Sequence, residues 1–168
     1  MADVTGTKYA ANADIGYGTE FLVGQDDGSP ETFSAVYGVM EITGLENFTN
    51  EILDKTHLRS RGRAREKFVG VADYESVTIR CQYDPSNVHG SHKTAGGDGF
   101  DADHNLPALQ FSGAECNFKV LIGSGSPQEE LNFRAIVSGM QRSPITVNGL
   151  VERTYTITPI GDYRLGLE

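Results

Sequence analysis

The 168-residue sequence has few of the features that mark secreted or membrane-embedded proteins. It contains only two cysteines, too few for a disulfide framework, and Cys81 alternates with apolar residues, which predicts a buried thiol in a reducing compartment. No stretch approaches the roughly 20 apolar residues of a membrane-spanning helix, so we expect no membrane contact. The first 18 residues are polar and lack the apolar core of a signal peptide, so we expect no export by that route.

Basic residues are scarce and unevenly distributed. The chain has 14 Lys and Arg against 23 Asp and Glu, a formal charge of −9. Six of the 14 lie between Lys55 and Lys67 with Glu66 as the one acid, so this segment carries +5 and the rest of the chain −14. Binding of nucleic acid over a whole surface needs Lys and Arg on phosphates, and an acidic surface repels that polyanion. The composition therefore argues against such a role.

Sequence signatures of catalysis are also missing. There is no nucleophile-elbow GxSxG motif and no glycine-rich strand–helix turn for a nucleotide. Cys116 follows Glu115, whose charge raises the pKa of the neighbouring thiol and makes it a poor nucleophile. We therefore expect a protein that is not an enzyme and holds no cofactor.

The segment 85–102 is rich in Gly, His and Asp, and it raises the possibility of a metal site. Its residues 96–101, GGDGFD, match the start of a calcium-binding nonapeptide, but Asp103 takes the apolar position and there is a single copy. Ligation also needs a preset geometry, which flanking glycines do not supply. We interpret the segment as a mobile loop with surface histidines, and keep a metal- or ligand-binding β-sandwich module as an alternative. The histidines and carboxylates in or beside this segment are His89, His92, His104, Asp98, Asp101 and Asp103.

Alternation of apolar and polar residues predicts a mainly β chain. One polar face per strand indicates antiparallel pairing. The predicted strands are 19–24, 34–42, 75–83, 117–123, 131–139 and 153–158, with 34–42 and 117–123 buried on both faces. Turn residues at 26–30, 123–127 and Asn148-Gly149 separate them. One helix is predicted over 103–112, with an Asp or Asn cap and Pro107 in its first turn. Segments 44–73 and 85–102 fit no strand and are predicted to be long loops.

The basic segment has a regular pattern of its own. Arg59, Arg61, Arg63 and Arg65 occupy every second position, so an extended backbone places all four on one side. A solvated loop and a nucleic-acid patch are both possible, but no aromatic platform lies nearby. The third reading, which we favour, is self-association, because a +5 segment complements the acidic body of another copy. Such a head-to-tail contact builds a filament when it does not close.

The order of these elements resembles the tail tube proteins of lambda-like bacteriophages with long, non-contractile tails. The strand 41–44 leads into the polar run 46–57 and a long loop, and the block 66–87 ends in a strand closing on Tyr83-Asp84-Pro85. A short helix, a strand pair over 117–138 and a Val-Asn-Gly-Leu turn at 147–150 follow. The resemblance spans about residues 19–160. The insertion 86–102 and the basic density at 59–67 depart from it.

The resemblance implies a fold, an assembly and partners. The fold is an antiparallel β-sandwich or split barrel with one short flanking α-helix, forming a single domain (1–168) with an N-terminal arm (1–18). Six subunits would close into rings whose inner strands form one β-barrel, and rings would stack into a tube for viral DNA. Type VI secretion tubes and contractile tails share this architecture. Expected partners are other copies, a tape measure protein and tail initiator and terminator proteins; assembly would occur in the host cytoplasm, and the protein would lie in the virion tail.

Two sets of residues are predicted to contact neighbours or the lumen. The inter-ring loop 44–73 would present its cations to acids of the next ring, and the lumen would be lined by polar strand faces that do not bind phosphate. Within that lining Arg80 is expected to pair with an acid such as Glu152. The inter-ring candidates are Arg59, Arg61, Arg63, Arg65, Lys67, Asp26, Asp27, Glu31, Glu46 and Glu51. The lumen candidates are Ser76, Thr78, Arg80, Gln82, Glu152, Thr154, Thr156 and Thr158.

Overall fold

The architecture is that of a computed structural model, which describes residues 16–26, 28–56, 65–86, 88–125, 128–161 and 164–165. One α-helix, α1, spans Leu106–Ser112, and a short 3-10 turn spans Gly90–His92. The strands are β1 (Glu20–Gly24), β2 (Phe33–Ala35), β3 (Val39–Thr43), β4 (Phe48–Asp54), β5 (Lys67–Tyr74), β6 (Val77–Gln82), β7 (Glu115–Ile122), β8 (Glu129–Arg142), β9 (Glu152–Pro159) and β10 (Arg164–Leu165). No helix in the described part of the chain is long and apolar enough to cross a membrane.

Eight strands form one antiparallel sheet. Seven of them follow the order β2-β1-β7-β8-β9-β6-β3, and the eighth, β10, pairs with β8. The 14-residue β8 joins two half-sheets. Its residues 129–136 pair with β7, whereas 135–142 pair with β9, with a register shift between Val137 and Gly139. Because the apolar faces of both halves belong to one core, the sheet folds over at β8. The predicted antiparallel β fold with one helix is confirmed.

The core follows directly from the alternation in the sequence. Phe21, Phe118 and Phe133 lie within 5.7–6.4 Å of one another between ring centroids. Tyr155 and Ile157 from β9 are fully buried, while the threonines that alternate with them face away. Both thiols are buried as well, and burial raises the pKa of Cys81 and of Cys116 to about 12. The prediction of a buried Cys81 thiol is confirmed.

The predicted helix is confirmed, with a start fixed by local chemistry. Asn105 caps α1, because its side-chain oxygen accepts a hydrogen bond from the Ala108 N–H at 3.0 Å. Pro107 lies in the first turn, where its missing N–H costs nothing. Gly113, at φ 67°, ends the helix in the left-handed region and donates its N–H to the Leu109 carbonyl.

Three of the predictions from the sequence are wrong. The run 34–42 is not one strand: a turn with Gly38 at φ 70° carries the chain from β2, on one half-sheet, to β3, on the other. The run 117–123 is buried on one face only. The described parts of segment 44–73 are not an irregular loop, since β4 and β5 pair from Phe48↔Tyr74 to Asp54↔Lys67 as a separate hairpin. Alternation missed this hairpin because neither of its faces is buried against the body.

The described residues of segment 85–102 are also more ordered than predicted. Its 3-10 turn is buried, and Gly97 and Phe100 exchange two backbone hydrogen bonds of 2.9 Å. The expectation that its histidines lie on the surface is wrong for His92, which is 4% exposed. Within the described residues no group of three His, Cys, Asp or Glu side chains is arranged to hold a metal ion.

Candidate functional site

The eight predicted lumen residues lie together on one face of the half-sheet β3-β6-β9-β8. They alternate with buried core residues along β6 and β9, so they point away from the core. Strand register places them side by side, and the hydroxyls of Ser76 and Thr158 are 3.2 Å apart at one end of the face. The facing pairs are Thr78↔Thr156, Arg80↔Thr154 and Gln82↔Glu152. We call this surface the polar face.

The polar face extends onto two strands that sequence analysis did not assign to it. Register adds Glu41 and Thr43 from β3 and Gln141 from β8. Ser138 joins at the register shift in β8, where its hydroxyl lies 2.9 Å from that of Thr158. Alternation in 39–43 was a usable signal, but the apolar run around it suggested a strand buried on both sides.

Arg80 is neutralised on the polar face by two carboxylates. Its Nη2 lies 3.0 Å from Glu41 Oε2, and its Nε lies 3.8 Å from Glu152 Oε2. The predicted partner, Glu152, is therefore present but farther from the guanidinium than Glu41. These pairs are partly exposed, so each contributes at most about 1 kcal/mol to stability. Their larger consequence is electrostatic, because the one cation among these strand positions offers little net positive charge to a polyanion.

The same half-sheet has two open edges. β3 pairs with β6 on one side only among the described strands. On β8, the register with β7 ends at Ile136, so residues 137–142 pair with β9 alone. Unpaired strand edges present rows of backbone N–H and C=O groups that pair readily with another strand. The polar face is thus bounded on both sides by edges able to accept a second copy.

The β4–β5 hairpin stands apart from this sheet. Backbone bonding ties its base together where the Glu75 N–H donates to the Asn47 carbonyl at 2.8 Å. Apolar side chains along it remain exposed: Val69 is 60% and Val71 75% accessible. An isolated two-stranded hairpin is marginally stable in water. Its exposed apolar residues therefore make the hairpin a candidate contact surface.

The inter-ring candidates within the described residues fall into three places, and that part of the chain does not bring them together. Arg65 and Lys67 lie near the outer end of the hairpin, and Arg59, Arg61, Arg63 and Asp27 lie outside the described residues. Glu46 and Glu51 belong to the hairpin's base and its first strand. On the body, Glu31 accepts hydrogen bonds from the Asp26 N–H at 3.0 Å and from the Asn117 amide at 2.8 Å.

A buried polar cluster around His92 was not found from the sequence. His92 Nε2 lies 2.9 Å from the Tyr37 carbonyl and its Nδ1 lies 2.9 Å from the Tyr155 hydroxyl. With Nε2–H donating and Nδ1 accepting, the neutral imidazole satisfies both partners. Arg153 donates to the His92 carbonyl at 3.2 Å, and its guanidinium lies 4.2 Å from the centre of the Tyr83 ring. The cluster fastens the 85–102 segment to the sheet.

His92 makes stability depend on pH. Burial lowers its pKa below the usual 6.5, opposed by the Tyr37 carbonyl and reinforced by the charge of Arg153 and by His89. Because the unfolded chain binds a proton more readily, the free energy of unfolding falls as pH drops through about 6.5, by up to about 1.4 kcal/mol per pH unit. We expect His92→Gln to flatten the pH dependence of the free energy of unfolding, measured by urea unfolding from about pH 7.5 to about pH 5.5. His104→Gln is the control. If the slope of unfolding free energy against pH is unchanged in His92→Gln, His92 is not the source of the pH dependence.

Comparisons with known proteins identify the fold. No family model and no curated protein matches the sequence. Three solved structures share the architecture at low identity. A chain of the PVC extracellular contractile injection system's sheath–tube complex has a TM-score of 0.67 at 11% identity, covering 99% of this chain and 100% of that one. The SPP1 tail tube has a TM-score of 0.59 at 12% identity, covering 93% of this chain and 80% of that one. The tail of a gene transfer agent particle has a TM-score of 0.56 at 18% identity, covering 88% of this chain and 96% of that one. The chain has the fold of tail tube proteins.

Proposed function

We propose that this chain is a structural subunit of a tail tube, forming six-membered rings that stack into a conduit for viral DNA. The observation that carries the proposal is the polar face bounded by two open strand edges. A face of hydroxyls, amides and a neutralised arginine is the surface that a sliding polyanion requires. The tube fold supports the role, and one tail with this fold has been refined with C6 symmetry.

Ring closure follows from the edges. The β3 edge of one subunit meets the 137–142 edge of β8 in the next, and six copies of the four-stranded half-sheet close a barrel of 24 strands. With strands about 4.8 Å apart and tilted by about 40°, such a barrel is on the order of 50 Å across between backbones. Closure pairs both open edges, which removes the hazard of unspecific strand addition. The polar face then lines the channel.

Stacking is assigned to the β4–β5 hairpin. Exposed apolar residues on a projecting hairpin need a partner surface, and the next ring provides one. The cations at 55–67 add attraction to the acidic body of that ring, with Asp26 and Glu31 as candidate receivers on the described surface. Stacking is therefore expected to weaken with salt, whereas backbone pairing within a ring is not.

The tail is proposed to be a long, non-contractile one of the lambda-like kind, because the succession of elements over 19–160 follows that family. Its partners would be a tape measure protein and tail initiator and terminator proteins, with assembly in the host cytoplasm. The second candidate is the tube of a contractile or type VI-like machine, which the likeness to the PVC sheath–tube complex favours. A neighbouring sheath-protein gene would select the second candidate.

Negative-stain electron microscopy across a concentration series tests the tube itself. We expect hollow tubes or six-fold rings at low salt, and rings without tubes at high salt. A chain that stays monomeric at every concentration and salt would contradict the proposal. In that case the metal- or ligand-binding module would become the leading alternative.

A further inference from the structure

A cleft opens beside the start of β3. It has a volume of about 330 Å³, roughly twice the ~150 Å³ cavity that holds a benzene-sized group. Its lining residues include Val36, Tyr37, His89, Ser91, Asp98 and Phe100. Val36 and Phe100 are buried apolar residues, while the Tyr37 ring is exposed to 43% and stacks on the His89 ring at 3.5 Å.

The cleft is held open by hydrogen bonds across its walls. The Ser91 hydroxyl accepts the Tyr37 N–H at 3.2 Å, which ties the 3-10 turn to the β2–β3 connection. Asp98 Oδ2 accepts the Gly90 N–H at 3.0 Å and lies 3.3 Å from His89 Nδ1. A site whose walls are already bonded loses little conformational entropy when it is filled.

The β8–β9 connection has complementary properties. Its nine residues, 143–151, read SPITVNGLV and contain no charge, in a chain where 22% of residues are charged. Ile145, Val147 and Leu150 are all exposed, Val147 completely. The base is closed, since the Ser143 N–H donates to the Glu152 carbonyl at 3.1 Å. Three exposed aliphatic side chains within six residues, on a turn closed at its base, offer apolar surface suited to an interface.

Strand register places this tip and the cleft at the same end of the half-sheet. Arg142, the last residue of β8, pairs with Arg153 on β9, which pairs with Cys81 on β6, which pairs with Val39 on β3. The tip therefore continues from the end of one open edge, and Tyr37 lies just before the start of the other. When the β8 edge of one copy meets the β3 edge of the next, tip and cleft arrive at the same rim of the ring, beside the shared strands.

We propose that the 144–150 tip of one subunit inserts its aliphatic side chains into the Tyr37–Phe100 cleft of the adjacent subunit in the same ring. This inference rests on the proposed ring and names the contact that fixes its subunits. An uncharged tip suits this cleft, because Asp98 at its wall repels anions and the chain as a whole has a formal charge of −9. Burying two or three aliphatic side chains removes their apolar surface from water, which would stabilise each contact.

A pair of cysteines tests the contact directly. Val147→Cys places a thiol on the tip and Ala35→Cys places one on the cleft wall, while native Cys81 and Cys116 are buried and do not compete. Mild oxidation of the double variant is expected to give a ladder that ends at six linked chains, and each single variant alone gives none. Absence of linked chains would overturn the proposal. A ladder continuing past six would also overturn it, because the tip would then reach the next ring.

Charge substitution separates this contact from the ring itself. Val147→Asp is expected to reduce ring formation at least tenfold with the melting temperature unchanged, and Phe111→Asp, at a residue 71% exposed on α1, should form rings normally. If Val147→Asp forms rings and the double cysteine variant gives no cross-link, the proposed tip–cleft contact is wrong and the proposed function still stands. If the cysteine variant cross-links and the native chain forms no rings, the tip–cleft contact is supported and the proposed ring is wrong.

Discussion

Replacing Val69 and Val71 by aspartate is expected to abolish tubes and leave single rings. Both side chains are more than half exposed in one chain, so their replacement costs the fold little, on the order of 0.5 kcal/mol. In the proposed stack the same positions would lie against the next ring, where buried carboxylates without partners are strongly unfavourable. Since every subunit repeats the defect, we expect stacking affinity to fall by roughly 100-fold or more.

The measurement is electron microscopy of the double variant beside the native chain, with ring and tube particles counted separately. Phe111→Asp is the matched control, because it adds the same charge at an exposed apolar residue outside the hairpin. Tubes of normal length in the double variant would show that the hairpin does not join rings. If the double variant forms neither rings nor tubes, the hairpin takes part in ring closure and the stacking assignment is wrong.

Adding positive charge to the polar face is expected to trap DNA. Thr154→Lys with Thr156→Lys puts two cations on the centre of the face, next to the neutralised Arg80. The proposed six-membered ring would then carry roughly twelve new charges facing its channel. Each phosphate contact adds about −0.9 to the slope of log affinity against log salt. We therefore expect DNA retention to rise by orders of magnitude at low salt and to fall steeply as salt is raised.

Assembling tubes in the presence of linear duplex DNA, followed by nuclease digestion, distinguishes the channel from the outside. The lysine variant should retain nuclease-resistant DNA that high salt releases, and the native chain should retain almost none. Phe111→Lys with Ser112→Lys adds the same charge on α1, where bound DNA should be digested. Equal protection in the two variants would mean that the polar face does not line the channel.

Sequence reasoning found those parts of the fold that repeat a simple local pattern. β6 and β9 bury one face each, so alternation identified both the core residue Tyr155 and the outward row ending at Thr158. The helix was predictable for a similar reason, because its cap Asn105 and its Pro107 act within a few residues. For these two strands and the helix, the local pattern was sufficient, whereas it failed for the turn at Gly38 and for the faces of β7.

The remainder depended on contacts between distant parts of the chain. His92 is buried by partners 55 and 63 residues away, and its own neighbours in sequence are polar and Gly-rich. Glu41 became the nearer partner of Arg80 only through the register of β3 with β6. The hairpin escaped detection because its two faces contact no core, so its sequence carries no alternation imposed by burial.

A cryo-electron microscopy reconstruction of the assembled tube tests the central claim most directly. The account predicts a closed barrel with four strands from each of six subunits, the β3 edge of each subunit paired with residues 137–142 of its neighbour, and Thr154 and Thr156 facing the channel. A tube whose channel is lined by another surface, with the polar face turned outward or these two edges left unpaired, would contradict it.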